Sequence, residues 1–399
     1  MTRSPLDTPM MRQYRAIKAR HPDAIVFYRM GDFYEMFLRD AEIAAPLLDI
    51  ALTTRDRGKE DPVPMCGVPV HAADAHVKRL AALGHRVAIC EQIEDARAAA
   101  GRRLVKRDVV EVVTPGLVGD PEGIEAAREL ALAAISPGDP AGLAFLEAST
   151  GDLRATEFPC SGGEQLPPAL AEELRRVAPR EILISAALDA AIDETLERLL
   201  PGTVRTRVDG ADFDPASAPL HPDGLEAEAT DAAARAAAAL LSYLAANQPF
   251  AMTQVARLRR YELTETMLLD AATLGHLELF RNSEDGSRQR TLIERLDRSA
   301  TPLGARRLAR WLAYPLRSSQ AIAARQAAVA FLAERDRPRA RLRDALRPVR
   351  DLERLLAKAA RPGTTPRDLA ALRGSLEALP AVGGSLADTD ADLLPTGEG

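Results

Sequence analysis

Residues 24–37 read AIVFYRMGDFYEMF, two β-prone runs, AIVFYR and FYEMF, separated by the turn pair Gly31-Asp32. Side chains alternate along an extended strand, so Phe33 and Glu35 project from one face and Tyr34 and Met36 from the other. An aromatic ring beside a carboxylate is an odd pair for a core face. Pattern alone favours Phe33 as a core residue with Glu35 at its rim. Outward from this hairpin, AEIAAPLLDIALTT is a short helix leading into a strand, and VPMCGVPV is an apolar run broken by Pro and Gly. The spacing of Val77, Leu80 and Ala81 predicts a helix over 72–83, stopped by Gly84. RVAICEQI and RDVVEVVTP add two strands, and Thr114-Pro115-Gly116 closes a small α/β unit over residues 1–116.

The next segment, 117–248, opens as strand, turn, strand, turn, strand: LALAAIS, PGDPAG, LAFLEAST, Thr150-Gly151-Asp152 and LRATEF form an antiparallel meander. A helix at PALAEELRRV, a strand at EILIS and a helix at DETLERLL continue the α/β pattern. Residues 201–230, rich in Pro, Asp and Gly, read as an exposed loop before the Ala-rich helix ATDAAARAAAALLSYLAANQ. Asn247-Gln248-Pro249 marks a boundary, and residues 249–399 read as all-α. There Thr301-Pro302 starts a helix whose face is Ala305, Leu308 and Leu312, with Arg306, Arg307 and Arg310 largely off it and Pro315 as its stop. Leu352, Leu355, Leu356 and Ala359 repeat the helical spacing, and Thr365-Pro366 starts a helix with Leu369, Leu372 and Leu376 in register. The tail GGSLADTDADLLPTGEG reads as cut off, ending without a packed element.

With 399 residues, nearly half apolar and 28% charged, the chain suits several globular domains. It holds no apolar run of eighteen residues and no apolar secretion core near Met1. Net charge is −6, but it is segregated: +2 over 1–115, −14 over 116–250 and +6 over 251–399. Only the ends suit a phosphate partner. Cys66, Cys90 and Cys160 lack paired spacing and read as small buried residues in a reducing cytoplasm.

Candidate chemistry is sparse. The only Gly-Lys pair, Gly58-Lys59, is followed by Glu60, so no phosphate-binding GxxxxGK[ST] loop occurs. His71 and His76 are spaced by five and do not share a helix face. A metal-dependent nuclease of the RNase H type would need converging carboxylates. The meander offers Asp139, Glu147 and Asp152, two of them in turns that favour Asp anyway. A protein-interaction module built on the acidic middle is the other competing class.

The ordered stretches TPMMRQY, HPDAIVFYRMGDFYEMF, DIALTTR, VPMCGVPVHA, VAICEQIED and VVTPG closely resemble the opening of bacterial MutS proteins. The resemblance continues at LAFLEASTGDL, MLLDAATLGHLEL, RQRTLIERLDRSATPLGARRLARWLAYPL, RDLERLLAKAA and TPRDLAAL, and is weakest across 160–250. It implies a mixed α/β mismatch-binding domain (1–116), an RNase H-like α/β connector (117–248) that contacts a MutL-type partner, and the first part of a helical core and lever (249–399). It implies that Phe33 stacks on a mispaired base from the minor groove while Glu35 hydrogen-bonds that base. DNA binding to initiate mismatch repair, without covalent chemistry by this chain, is the implied role. The family's clamp and ATPase domains, with ATP, Mg²⁺ and most of the homodimer contact, are expected beyond this C-terminus, so this chain alone is expected to bind DNA weakly and to hold no cofactor. The implied compartment is the bacterial cytoplasm. Two departures stand out. Arg361-Pro362-Gly363 puts helix breakers where relatives often keep helix formers, and Glu111 is acidic where some carry a basic residue, so no phosphate contact is carried onto it.

Overall fold

The computed structural model describes residues 8–55, 62–94, 105–118, 132–160, 166–225, 231–267, 269–361 and 364–387. Gly58-Lys59, Pro362-Gly363 and the last twelve residues lie outside them.

The hairpin at 24–37 is the centre of a six-stranded sheet. Its strands are β1 (Ala24–Met30), β2 (Phe33–Phe37), β3 (Thr53–Arg55), β4 (Val63–Pro69), β5 (Arg86–Gln92) and β6 (Arg107–Val113), ordered β3-β4-β2-β1-β5-β6. Only β1 and β5 run parallel; the other neighbours are antiparallel. Both faces of β1 are covered, which is why it reads as a continuous apolar run. Val26 and Tyr28 face helix α1 (Pro9–Arg20), while Ile25 and Phe27 face α2 (Arg39–Leu48) and α3 (Ala73–Ala82). Tyr14 of α1 meets the rings of Tyr28 and Phe37 edge-on and donates its hydroxyl to the buried Asp40 at 2.7 Å. Asp40 also accepts from the Val26 N–H and pairs with Lys18 at 2.8 Å, so its charge is fully compensated.

A second six-stranded sheet follows, ordered β11-β10-β7-β8-β9-β12. The expected meander is present as β7 (Leu132–Ser136), β8 (Ala141–Glu147) and β9 (Asp152–Phe158). Strand β10 (Glu181–Ser185) pairs in parallel with β7, and β11 (Val204–Val208) with β10. One face carries α4 (Pro168–Val177) and α5 (Ala190–Leu199), and the other carries the Ala-rich α6 (Ala232–Asn247). Small residues let α6 lie flush on the sheet: a Cβ on Gly142 would come within 1.8 Å of the Ala232 carbonyl oxygen.

The segment 201–230 is not simply the exposed loop its composition suggests, because VRTRV within it is edge strand β11. Arg205 and Arg207 pair there with Asp193 of α5. The Pro, Asp and Gly around this strand mask a five-residue alternation. Strand β12 (Leu258–Arg260) extends the sheet past Asn247-Gln248-Pro249, pairing in parallel with β9. The two sheets meet at Glu181, whose buried carboxylate accepts from the Thr114 hydroxyl at 2.5 Å and the Gly116 N–H at 2.9 Å. Gly116 sits so tightly that a Cβ would lie 2.7 Å from Leu132.

The rest is helical: α7 (Ala271–His276), α8 (Leu292–Leu296), α9 (Pro302–Ala313), α10 (Ser319–Ala333), α11 (Asp336–Leu346), α12 (Leu352–Ala359) and α13 (Pro366–Ala387). The α/β-then-α reading holds except for β12, a strand inside the region read as all-α. Arg306, expected off the packed face of α9, is its buried residue instead, held by Asp351 and Glu353 at 2.5 Å each. Helix α13 passes through Pro380 and includes Gly383 and Gly384, so the tail begins as helix. One contact ties all three regions together. The buried Glu111 of β6 accepts from Gln248, just after α6, at 2.9 Å and from Arg361, after α12, at 2.6 Å.

Cys66 and Cys90 are buried, and burial pushes their thiols up to about 11 and about 12. Cys160 departs from expectation: it is only partly buried and donates to the Gly138 carbonyl at 2.9 Å. Among the described residues no helix is long and apolar enough to cross a membrane.

Candidate nucleic-acid interface

The Gly31-Asp32 turn fixes where Phe33 and Glu35 stand. Gly31 has φ +59°, which a tight two-residue hairpin requires at its first position. The register that follows pairs Met30 with Phe33, Arg29 with Tyr34 and Tyr28 with Glu35. Tyr34 and Met36 are buried against α2 and α3. Tyr34 donates its hydroxyl to Glu91, and the Arg29 guanidinium lies 5.5 Å from its ring. Phe33 begins β2 and leaves the protein surface 47% exposed, so the core position that pattern alone favours is not the one it occupies.

Glu35 stands two residues along on the same face as Phe33. Its neighbour across β4 is Gly67; a side chain there would crowd the Tyr34 carbonyl at 3.2 Å and Glu35 Cγ at 3.6 Å. Arg55 reaches over from edge strand β3 to 3.7 Å, close enough for attraction and too far for a hydrogen bond. Glu35 Oε2 is buried and has no hydrogen-bond partner among the described residues. Burial consequently raises the Glu35 pKa above the ordinary glutamate value, and Arg55 and Arg107 only partly pull it back. Arg107 comes from the far side of the sheet, its guanidinium 5.1 Å from the Tyr28 ring and its Nε donating to the Arg29 carbonyl at 2.6 Å. The result is an edge with an apolar ring, an acceptor lacking a donor, and two arginines. It can insert a flat group and accept one hydrogen bond.

The family resemblance names Phe33 and Glu35, and the sequence carries no mark on Arg55, Gly67 or Arg107. Those three come from β4 and the two edge strands, β3 and β6, and strand order cannot be read from spacing. The alternative carboxylate set behaves differently. Asp139 and Glu147 flank opposite ends of β8, about 25 Å apart at roughly 3.3 Å per residue. Glu147 faces Asp152 across the sheet and accepts from Ser149; Asp139 accepts from the Cys160 N–H at 3.0 Å. The three do not converge.

Three consecutive family models match this chain: MutS domain I over residues 8–122, MutS domain II over 130–256 and MutS domain III over 272–397. The chain belongs to the MutS family. It is 45% identical over 395 residues to the DNA mismatch repair protein MutS of Anaeromyxobacter dehalogenans (strain 2CP-C), an alignment covering 97% of this chain and 44% of that protein. The same-named proteins of Syntrophobacter fumaroxidans and Myxococcus xanthus are 41% and 43% identical, again over 97% of this chain and 44% of theirs. The chain thus spans less than half the length of these MutS relatives. Within it, Phe33, Glu35, Arg55, Gly67 and Arg107 all fall inside the MutS domain I match.

Proposed function

We propose that this chain recognises mispaired or unpaired bases in double-stranded DNA to initiate mismatch repair. Phe33 enters the minor groove and Glu35 contacts the base. The observation that carries the reading is the pairing of a half-exposed phenyl ring with a neighbouring carboxylate oxygen that is buried and unbonded. The names of the relatives support the same role. Residues 1–116 serve as the mismatch-binding domain, 117–248 as an RNase H-like connector for a MutL-type partner, and 249–399 as the start of the lever. A homodimer, ATP and Mg²⁺ belong to the activity of the whole family protein, which is cytoplasmic and DNA-associated.

An apolar wedge must unstack a base step and kink the duplex, at a few kcal/mol. A mispaired step is already weakly stacked, so the same deformation costs less there, and recognition proceeds by deformability without a base code. Glu35 sharpens the choice. A carboxylate brought near phosphates is repelled unless a base N–H, or a proton shared with the base, compensates it. Its raised pKa makes sharing a proton cheaper than for an ordinary glutamate. In matched DNA the Watson–Crick N–H groups are already paired with the opposite base.

Fluorescence anisotropy with a G·T duplex and its matched control tests this. The chain is expected to prefer the G·T duplex by about tenfold, equivalent to 1.4 kcal/mol, and Phe33→Ala is expected to erase that preference. An undiminished preference in the variant removes the wedge role.

A further inference from the structure

Away from the Phe33 edge, the outer strands of the second sheet and helix α9 enclose two adjoining cavities of about 220 and 340 Å³. Their shared wall holds five arginines, Arg154 on β9, Arg257 and Arg259 at β12, and Arg307 and Arg310 on α9, against two carboxylates, Glu147 and Asp152. Strand register makes part of this unavoidable, because Arg154 and Arg259 are direct partners on parallel strands, and like charges placed opposite repel. Asp152 stands between them, accepting from Arg154 Nε at 2.6 Å and lying 3.6 Å from Arg259. Around the smaller cavity six arginines face three carboxylates, Glu147, Asp152 and Glu353. Arg306 is engaged with Asp351 and Glu353. Arg257 and Arg307 are exposed and make no ion pair among the described residues, and the Arg307 guanidinium lies 5.8 Å from the Trp311 ring. This cationic excess sits on the flank of a segment whose net charge is −14.

We propose that the seam is a binding pocket for a short phosphate chain, either a free oligophosphate or the phosphate tail of a nucleotide. Guanidinium groups grip phosphoryl oxygens in bidentate pairs, and several such oxygens are needed to answer several arginines; a lone carboxylate answers one. The smaller cavity has room for about seven waters at roughly 30 Å³ each, a space in keeping with two or three phosphoryl groups. One end is closed by the Thr150-Gly151 turn. Gly151, at φ +74°, packs so near Gln254 that a Cβ would lie 2.2 Å from its carbonyl oxygen, so this wall is closely packed backbone. Trp311 lines the larger cavity, but Arg307 and Arg325 already occupy its ring, the latter at 3.8 Å. A base stacking there would compete with Arg325. Recognition falls on the phosphates.

Trp311 is the only tryptophan in the chain, so its fluorescence reports occupancy. Titration with inorganic triphosphate is expected to give a saturable change with a Kd on the order of 10 μM. Calorimetry on the same samples checks the value independently of the Arg307–Trp311 contact. Arg257→Glu and Arg307→Glu, both at exposed positions, are expected to weaken binding by about tenfold or more. Glu353→Gln removes a wall carboxylate and is expected to tighten it. ATP is expected to bind within about threefold of triphosphate, since the tail is what is held. A response that never saturates, or charge-reversal variants that titrate like the parent, overturn the proposal. So does ATP binding without triphosphate binding.

Discussion

Glu35 on the first sheet and Asp152 on the second are both strand carboxylates mostly withdrawn from water, and their surroundings treat them in opposite ways. Asp152 is answered by Arg154 at 2.6 Å and Arg259 at 3.6 Å. Burial alone would raise its pKa, yet those arginines, with Arg310, hold it below the ordinary aspartate value. Each keeps one buried oxygen without a hydrogen-bond donor, but the other oxygen of Asp152 is bonded by Arg154, whereas Glu35 has only one arginine at 3.7 Å, and its pKa goes up. The difference teaches where to look for function. Arginines hold the Asp152 carboxylate below its ordinary pKa, so its charge is answered inside the fold; Glu35, left with a raised pKa, is the better place to look for a partner outside the chain.

The comparison can be broken most forcefully at Asp152. Asp152→Asn leaves Arg154 and Arg259 facing each other and is expected to cost about 3 kcal/mol in urea unfolding at neutral pH. Because the folded pKa is depressed, Asp152 stabilises above its unfolded value, near 3.9, and that contribution is lost as pH falls through the lower folded value. The gap between parent and variant should therefore close in acid. A gap independent of pH would show that the arginines do not depend on this charge.

Glu35→Gln is expected to move stability the other way and less, by about 1 kcal/mol or under in the same assay. A raised folded pKa means the folded state holds its proton more tightly than the unfolded one, so the parent loses stability as pH rises through the folded value. The advantage of the variant is expected above that pH and not below it. On DNA, Glu35→Ala is expected to tighten binding to a matched duplex more than to a G·T duplex, by about threefold or more. Lower matched affinity in anisotropy would sink the repulsion argument. The smallest effect is at Phe33. With its ring already 47% exposed, Phe33→Ala is expected to change unfolding free energy by no more than about 0.5 kcal/mol while removing mismatch preference. A large stability loss would mean the ring serves packing.

Much of this is legible in the sequence itself. The turn at Gly31-Asp32, the alternation of FYEMF, the meander and the N-caps of the later helices all rest on local chemistry that a few neighbouring residues declare. What stayed hidden depends on partners far away in sequence. Strand β11 was lost among Pro, Asp and Gly because its partner β10 precedes it by about twenty residues. Arg306 looked like surface because the acids that bury it are 45 and 47 positions on. Arg55, Gly67 and Arg107 had no signal marking them as neighbours of Glu35. Glu111 and Arg361 each stood out alone, as an acid in a strand and a residue before a helix-breaking pair. Nothing local says that the two are each other's partner.

That last pairing has a mechanical consequence. A stretch of 250 residues is drawn closed by one carboxylate gripped from two sides, by Gln248 after α6 and Arg361 after α12. Burial raises the Glu111 pKa, and the Arg361 charge only partly opposes this, so the anion is tolerated because of its clasp. Pulling Arg361 away would strand the Glu111 charge in a dry crevice, at about 3–5 kcal/mol.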